Sequence, residues 1–234
     1  MSPTARRLVM AFLLLAAAGF AWLGAWQLGR LRVRRATNVQ VSAGRAAPPV
    51  RLPPLPTDVE ALAEHRVVAS GRYDHGHEIV IRGDVLQGVP GVRLVTPLLL
   101  GRDGPAILVD RGFLPAPDAV TVDLSGSEEP GEVVVRGIAL PIPAGPGEPV
   151  EVGGHTTWRR LALAELRARL PYTVLPVYLK QAPDSALPKF PRREELPSLD
   201  DGPHLSYAVQ WFLFAGMAVA FAVLVVGRGR RRSP

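Results

Sequence analysis

The sequence contains no cysteine, and that absence removes several kinds of chemistry. No disulfide can staple the fold, no thiolate can bind copper or zinc, and covalent haem attachment through a C-x-x-C-H motif is impossible. Metal chemistry must therefore rest on the five histidines, on methionine or on carboxylates. The sequence also lacks G-x-S-x-G, a P-loop, H-E-x-x-H and any Gly run able to cradle phosphate. The chain is not expected to be an enzyme. A net charge of +6 would suit nucleic acid, but no basic stripe interleaved with aromatics runs through the middle of the chain. No nucleic-acid partner is expected, and no internal repeat is visible.

Apolar residues are instead concentrated at the two ends of the 234-residue chain. One charge-free run spans residues 8–28 and a second spans 205–226, each close to the roughly 20 residues needed to cross a hydrocarbon core. Much of the positive charge flanks these runs: Arg6 and Arg7 before the first, Arg30, Arg32, Arg34 and Arg35 after it, and Arg228, Arg230, Arg231 and Arg232 after the second. Such residues hold a span in register and meet anionic lipid headgroups. A cleaved signal peptide competes for the first run, since Ala16, Ala17 and Ala18 offer small-residue cleavage sites. The length of the run and its closing Trp22 and Trp26 favour a span. Two spans put both termini on one side. The tails, 1–7 and 227–234, are short and basic, so the positive-inside rule places them in the cytoplasm. The expected protein is multi-pass in the cell membrane, with its main domain, 37–202, extracytoplasmic.

That middle region reads as a β-rich (α+β) sheet or partial barrel. Its opening, 41–57, is Pro-rich and irregular, and a short helix is expected at 58–64. Segments 67–73, 78–82, 93–100, 106–110 and 133–138 are rich in Val, Ile and Leu and bounded by Gly, Pro or Asp, so they read as strands. Gly101 to Gly104 reads as a hairpin turn. Residues 161–170 carry a helical pattern stopped by Pro171, and 172–180 returns to strand.

Trp22, Trp26 and Arg30 are spaced by four and share one helix face, within a W-Q-x-x-R pattern. The plain reading is an interfacial anchor, with Arg30 snorkelling or stacking on Trp26. At the other end Pro203 suits the first position of a helix. His204 then sits in its first turn, with Tyr207 and Trp211 at i+3 and i+7. The helix dipole there disfavours imidazolium, and neutral imidazole is the form that binds metal. A polar histidine at headgroup level is the competing reading.

Arg111 is either a partner-facing group or a structural arginine at a strand end beside Gly112, a position where glycine takes a backbone shape others cannot. His75 and His77 alternate as if on one strand face, a spacing that can hold a metal, against a solvated loop. His65 and His155 show no constellation. Glu128 and Glu129 read as solvated.

Taken together, these segments resemble the surfeit locus protein one (Shy-type) family of cytochrome c oxidase assembly factors. The W-Q-x-x-R exit of the first span and the H-L-S-Y-A-V-Q-W-F start of the second carry the resemblance. So do Gly71-Arg72-Tyr73-Asp74, Gly91 with Thr96-Pro97-Leu98, and Val109 to Pro115 (VDRGFLP). One departure is Gly202-Pro203, where many members have an Asn pair before the histidine. The resemblance implies a role in biogenesis of oxidase subunit one, receiving haem a from haem A synthase and presenting it to the oxidase. In that picture His204 ligates the haem iron. Trp22, Trp26, Tyr207 and Trp211 supply planar apolar walls, and Arg30 pairs with a propionate. The two clusters would then face each other, with Ala208, Ala215 and Gly216 allowing close approach. The alternative is a membrane scaffold that holds oxidase subunits and binds no cofactor.

Overall fold

The computed structural model describes residues 2–152 and 155–230, which form two compact units. The larger unit, Val41–Pro197, is built on a nine-stranded sheet. Its strands are β1 (Val50–Leu52), β2 (Arg66–Tyr73), β3 (Ile79–Leu86), β4 (Val89–Leu99), β5 (Ala106–Pro115), β6 (Glu132–Pro141), β7 (Val150–Val152), β8 (His155–Trp158) and β9 (Val174–Gln181).

Five of these strands close on themselves. The order β2-β6-β9-β5-β4 returns to β2 through a seam of two residue pairs, Arg72 with Leu99 and Tyr73 with Leu98. Strand β9 lies between β5, to which it is parallel, and β6, to which it is antiparallel. Side chains alternate across a strand, and β5 uses that alternation to feed two cores. Ile107 and Val109 point into the barrel with Val67, Leu98, Val135 and Leu179. Leu108 packs on the other side with Ile79, Val95, Trp158 and Leu166. Leu166 comes from a short helix, Leu163–Arg169. With both faces covered, β5 is buried along almost its whole length.

The strands expected around Val95, Leu108 and Val134 do share one sheet, and β4 and β5 form the hairpin across Gly101–Gly104. The short helix expected at 58–64 is a single 3₁₀ turn, Glu60–Leu62. Within the stretch read as irregular, residues 41–46 are helical and 50–52 form strand β1.

In the smaller unit, two helices are long and apolar enough to cross a membrane. The first, α1 (Pro3–Ala46), has 44 residues, or roughly 66 Å at 1.5 Å per residue. That is more than twice the roughly 30 Å hydrocarbon thickness, so the apolar run is only its first half. With α1 assigned, the domain helix is α2 (Leu163–Arg169) and the last is α3 (His204–Arg230). The end of the basic tail, Arg231 and Arg232, lies outside the described residues.

Candidate functional site

Within the smaller unit, α1 and α3 meet along a seam of small and apolar residues. Ala17, Gly24 and Leu31 are buried on α1, and Ala208, Ala218 and Ala222 on α3. Phe20 of α1 stacks on Trp211 at 5.7 Å between ring centroids and meets Phe214 at 5.8 Å. Gly24 faces the Phe212 ring so closely that a Cβ there would come within 2.8 Å of it. Such small residues permit the close helix approach that packing in lipid requires. Gly216, also expected at this seam, faces open space instead.

His204 stands at the start of α3, and its Nδ1 lies 2.9 Å from Oε1 of Gln27 on α1. Just before it, Gly202 has φ +66, and Pro203 leads into the first turn, where its carbonyl accepts from the Tyr207 N–H and the Ser206 hydroxyl. Further along α1, Arg34 and Asn38 donate to the Asp200 carbonyl, and Arg35 pairs with Asp201 at 2.8 Å. The chain that delivers His204 is thus tied to α1 at several points.

The expected opposition of Trp22-Trp26-Arg30 to His204-Tyr207-Trp211 is corrected here. Trp22 is 68% exposed and Trp26 50%. With Gly24 and Gln27 turned to α3, a period of 3.6 residues points Trp22 and Trp26 away from α3, while Arg30, three residues beyond Gln27, lies at the flank of the face that meets His204. Arg30 lies over the Trp26 ring at 6.0 Å, as the interfacial-anchor reading has it. Tyr207 is also exposed, and Trp211 meets Phe20. The side chain that reaches His204 is Gln27, the unassigned member of W-Q-x-x-R.

The β-rich unit holds a buried charge cluster. Arg111 is 1% exposed, which corrects the partner-facing reading of it: its guanidinium is enclosed and cannot touch a partner. It donates to Glu78, Thr96, Glu129 and the Ser127 carbonyl, and lies over the Tyr73 ring at 4.9 Å. Glu129, read as solvated, pairs with both Arg111 and Arg193, whereas Glu128 is exposed. Burial pushes the Tyr73 hydroxyl well above the ordinary tyrosine range, with Arg111 pulling the other way. A second cluster centres on Arg93, which bonds Asp84, Asp110 and Glu194. Burial alone would lower the Arg93 pKa, but Asp110 and the other two carboxylates outweigh it and hold the charge. Burial raises Asp110 despite the pairing.

His75 and His77 lie in a 3₁₀ turn, not on a strand. The Glu129 N–H donates to His75 Nε2, so Nδ1 carries the proton given to Glu78. His77 bonds Asp74, which also accepts from the Tyr172 hydroxyl. Both line a cleft of about 560 Å³ with Trp158 and Arg169. Among the described residues no group of three or more His, Asp or Glu could hold a metal ion.

Comparison with known proteins adds an independent line. The SURF1 family model matches residues 14–216. A SURF1-like protein of Monosiga brevicollis is 25% identical over 226 residues, covering 90% of this chain and 85% of that one. An uncharacterized SURF1-like protein of Mycobacterium tuberculosis is 26% identical over 231 residues, covering 91% and 81%. Surfeit locus protein 1 of Rattus norvegicus is 24% identical over 238 residues, covering 95% and 76%.

Proposed function

The chain belongs to the SURF1 family, and from that membership we propose that it assists assembly of haem-copper cytochrome c oxidase by binding haem a and presenting it to subunit one. The observation that carries the haem reading is the setting of His204. Its imidazole is held at Nδ1, and no hydrogen-bond partner stands at Nε2 among the described residues. Gly202 lies beside that nitrogen, where a Cβ would be in van der Waals contact with it at 3.7 Å, so a glycine leaves that edge of the ring less covered than a larger residue would. The donor set fits a haem, since one free imidazole nitrogen is what axial ligation needs. Tyr207 and the other exposed aromatics offer planar apolar surface at the same end of the spans. Arg30 has no carboxylate partner among the described residues, and it lies three residues beyond Gln27, the residue that meets His204. Arg30 is the cation proposed to pair with a propionate. Haem A synthase is the proposed donor and subunit one the acceptor.

What bound haem would supply is a transferable cofactor; what the chain supplies is a ligand, an orientation and a place at the membrane edge. The test is an optical spectrum of the purified protein from cells that make haem a, alongside the His204→Ala variant. A haem band in the wild type that vanishes or shifts strongly in the variant is the expected result. An unaltered spectrum in His204→Ala would overturn the ligand assignment. Copurification with oxidase subunits but never with haem would put a cofactor-free scaffold in its place.

The same reading places both termini in the cytoplasm and the β-rich unit outside, because both tails are short and basic. Reporter fusions at Gly126, in an exposed turn, and after Pro234 should report opposite sides of the membrane. A cytoplasmic signal at Gly126 would reverse the scheme.

A further inference from the structure

We propose that Gln27 is a positioning residue that fixes the tautomer of His204, so that Nδ1 carries the proton and Nε2 keeps its lone pair for a metal. The proposal rests on the reading of His204 as a haem ligand and names what prepares it. Neutral imidazole has one N–H and one acceptor nitrogen, and the bond made by one nitrogen decides the role of the other. Here the carbonyl oxygen Oε1 of Gln27 stands 2.9 Å from Nδ1. An oxygen acceptor requires Nδ1–H, which leaves Nε2 unprotonated.

The geometry around the pair keeps it in register. Toward one end of α1, the Phe20–Trp211 stack and the Gly24–Phe212 approach fix the helices against each other. Toward the other end, Arg34, Arg35 and Asn38 hold Asp200 and Asp201, just before His204 in sequence. Gln27 lies between these two sets, which hold the two helices in register around it. The pair is partly buried, and a buried N–H left without an acceptor is costly, which strengthens the preference for the paired tautomer. Ligands to metals are commonly oriented in this way by a second group, whose loss lowers affinity about 10- to 100-fold.

A carboxamide can present its oxygen or its NH₂, so the decisive variants differ in that respect. Glutamate is nearly isosteric and, ionised, only accepts; leucine does neither. The full-length protein, labelled with ¹⁵N in its histidines and held in detergent without haem, reports the tautomer of His204 directly through its ring ¹⁵N shifts. His204→Ala identifies the signal. The expected result is protonated Nδ1 in the wild type and in Gln27→Glu, and a mixture of tautomers in Gln27→Leu. Titration with ferric protoporphyrin should then show about 10- to 100-fold weaker binding for Gln27→Leu and recovery in Gln27→Glu. Protonated Nε2 in the wild type, or one tautomer in all three proteins, would overturn the proposal. So would a tautomer shift in Gln27→Leu with unchanged porphyrin affinity. Failure of the wild type to bind the porphyrin would instead strike the ligand reading, with the ¹⁵N result standing apart from it.

Discussion

Replacing Arg111 by methionine should destabilise the β-rich unit by about 3–5 kcal/mol, the range seen when one partner of a buried ion pair is removed. The guanidinium is 1% exposed and joins Glu78, Glu129, Thr96 and the Ser127 carbonyl. Methionine fills similar space but strands these acceptors. Arg193 still pairs with Glu129, and His75 with Glu78, so the two carboxylates are weakened rather than abandoned. Lysine should not rescue, because a single ammonium cannot span acceptors set around a planar fork. Denaturant unfolding of the full chain in detergent, followed through the buried Trp158, gives the cost. A loss below about 1 kcal/mol would mean that the cluster is not what holds the Ser127–Glu129 loop to the barrel.

Gly112→Ala is the second change expected to approach unfolding. Gly112 has φ +121, and a Cβ would run into the carbonyl of Arg192. The strained backbone alone costs about 1–3 kcal/mol. The collision adds to this, because Phe113 and Arg192 exchange two backbone hydrogen bonds, of 2.9 and 2.7 Å, at that place. A total of about 3 kcal/mol or more is expected. Gly126, with φ +79 and open space around it, is the control, and its alanine variant should cost only about 1–2 kcal/mol. Equal losses at the two positions would show that backbone conformation, not the approach of Arg192, sets the penalty.

Periodicity made the barrel strands legible where it was strong. β2 and β9 alternate buried and less buried residues almost perfectly, and apolar content alone located β4 and β5. β1, β7 and β8 are short and embedded among Pro, Gly and Glu, so their pairing partners, not their own residues, make them strands. The second half of α1 was missed because it is polar: hydropathy marks where a span ends, not where its helix does. At the site, His204 was visible as a residue but its partner was not. Gln27 gives no signal alone; the stripe Phe20, Gly24, Gln27, Leu31 at three- and four-residue steps was the available clue. The pairing of Glu129 could not be read from a loop sequence, because it depends on Arg111 and Arg193 arriving from β5 and from the chain beyond β9.

Strand β9 occupies the middle of the barrel wall but is made last. A nascent chain emerges N-terminal end first, so β5 and β6 are complete while the strand that joins them has yet to be synthesised. Until Val174–Gln181 arrives, each has an unpaired edge of the kind that recruits foreign strands. Closure then depends on contacts far apart along the chain, a topology that folds slowly. Only 22 residues separate the end of β9 from the start of α3, so the barrel's final strand and the second apolar helix are delivered almost together.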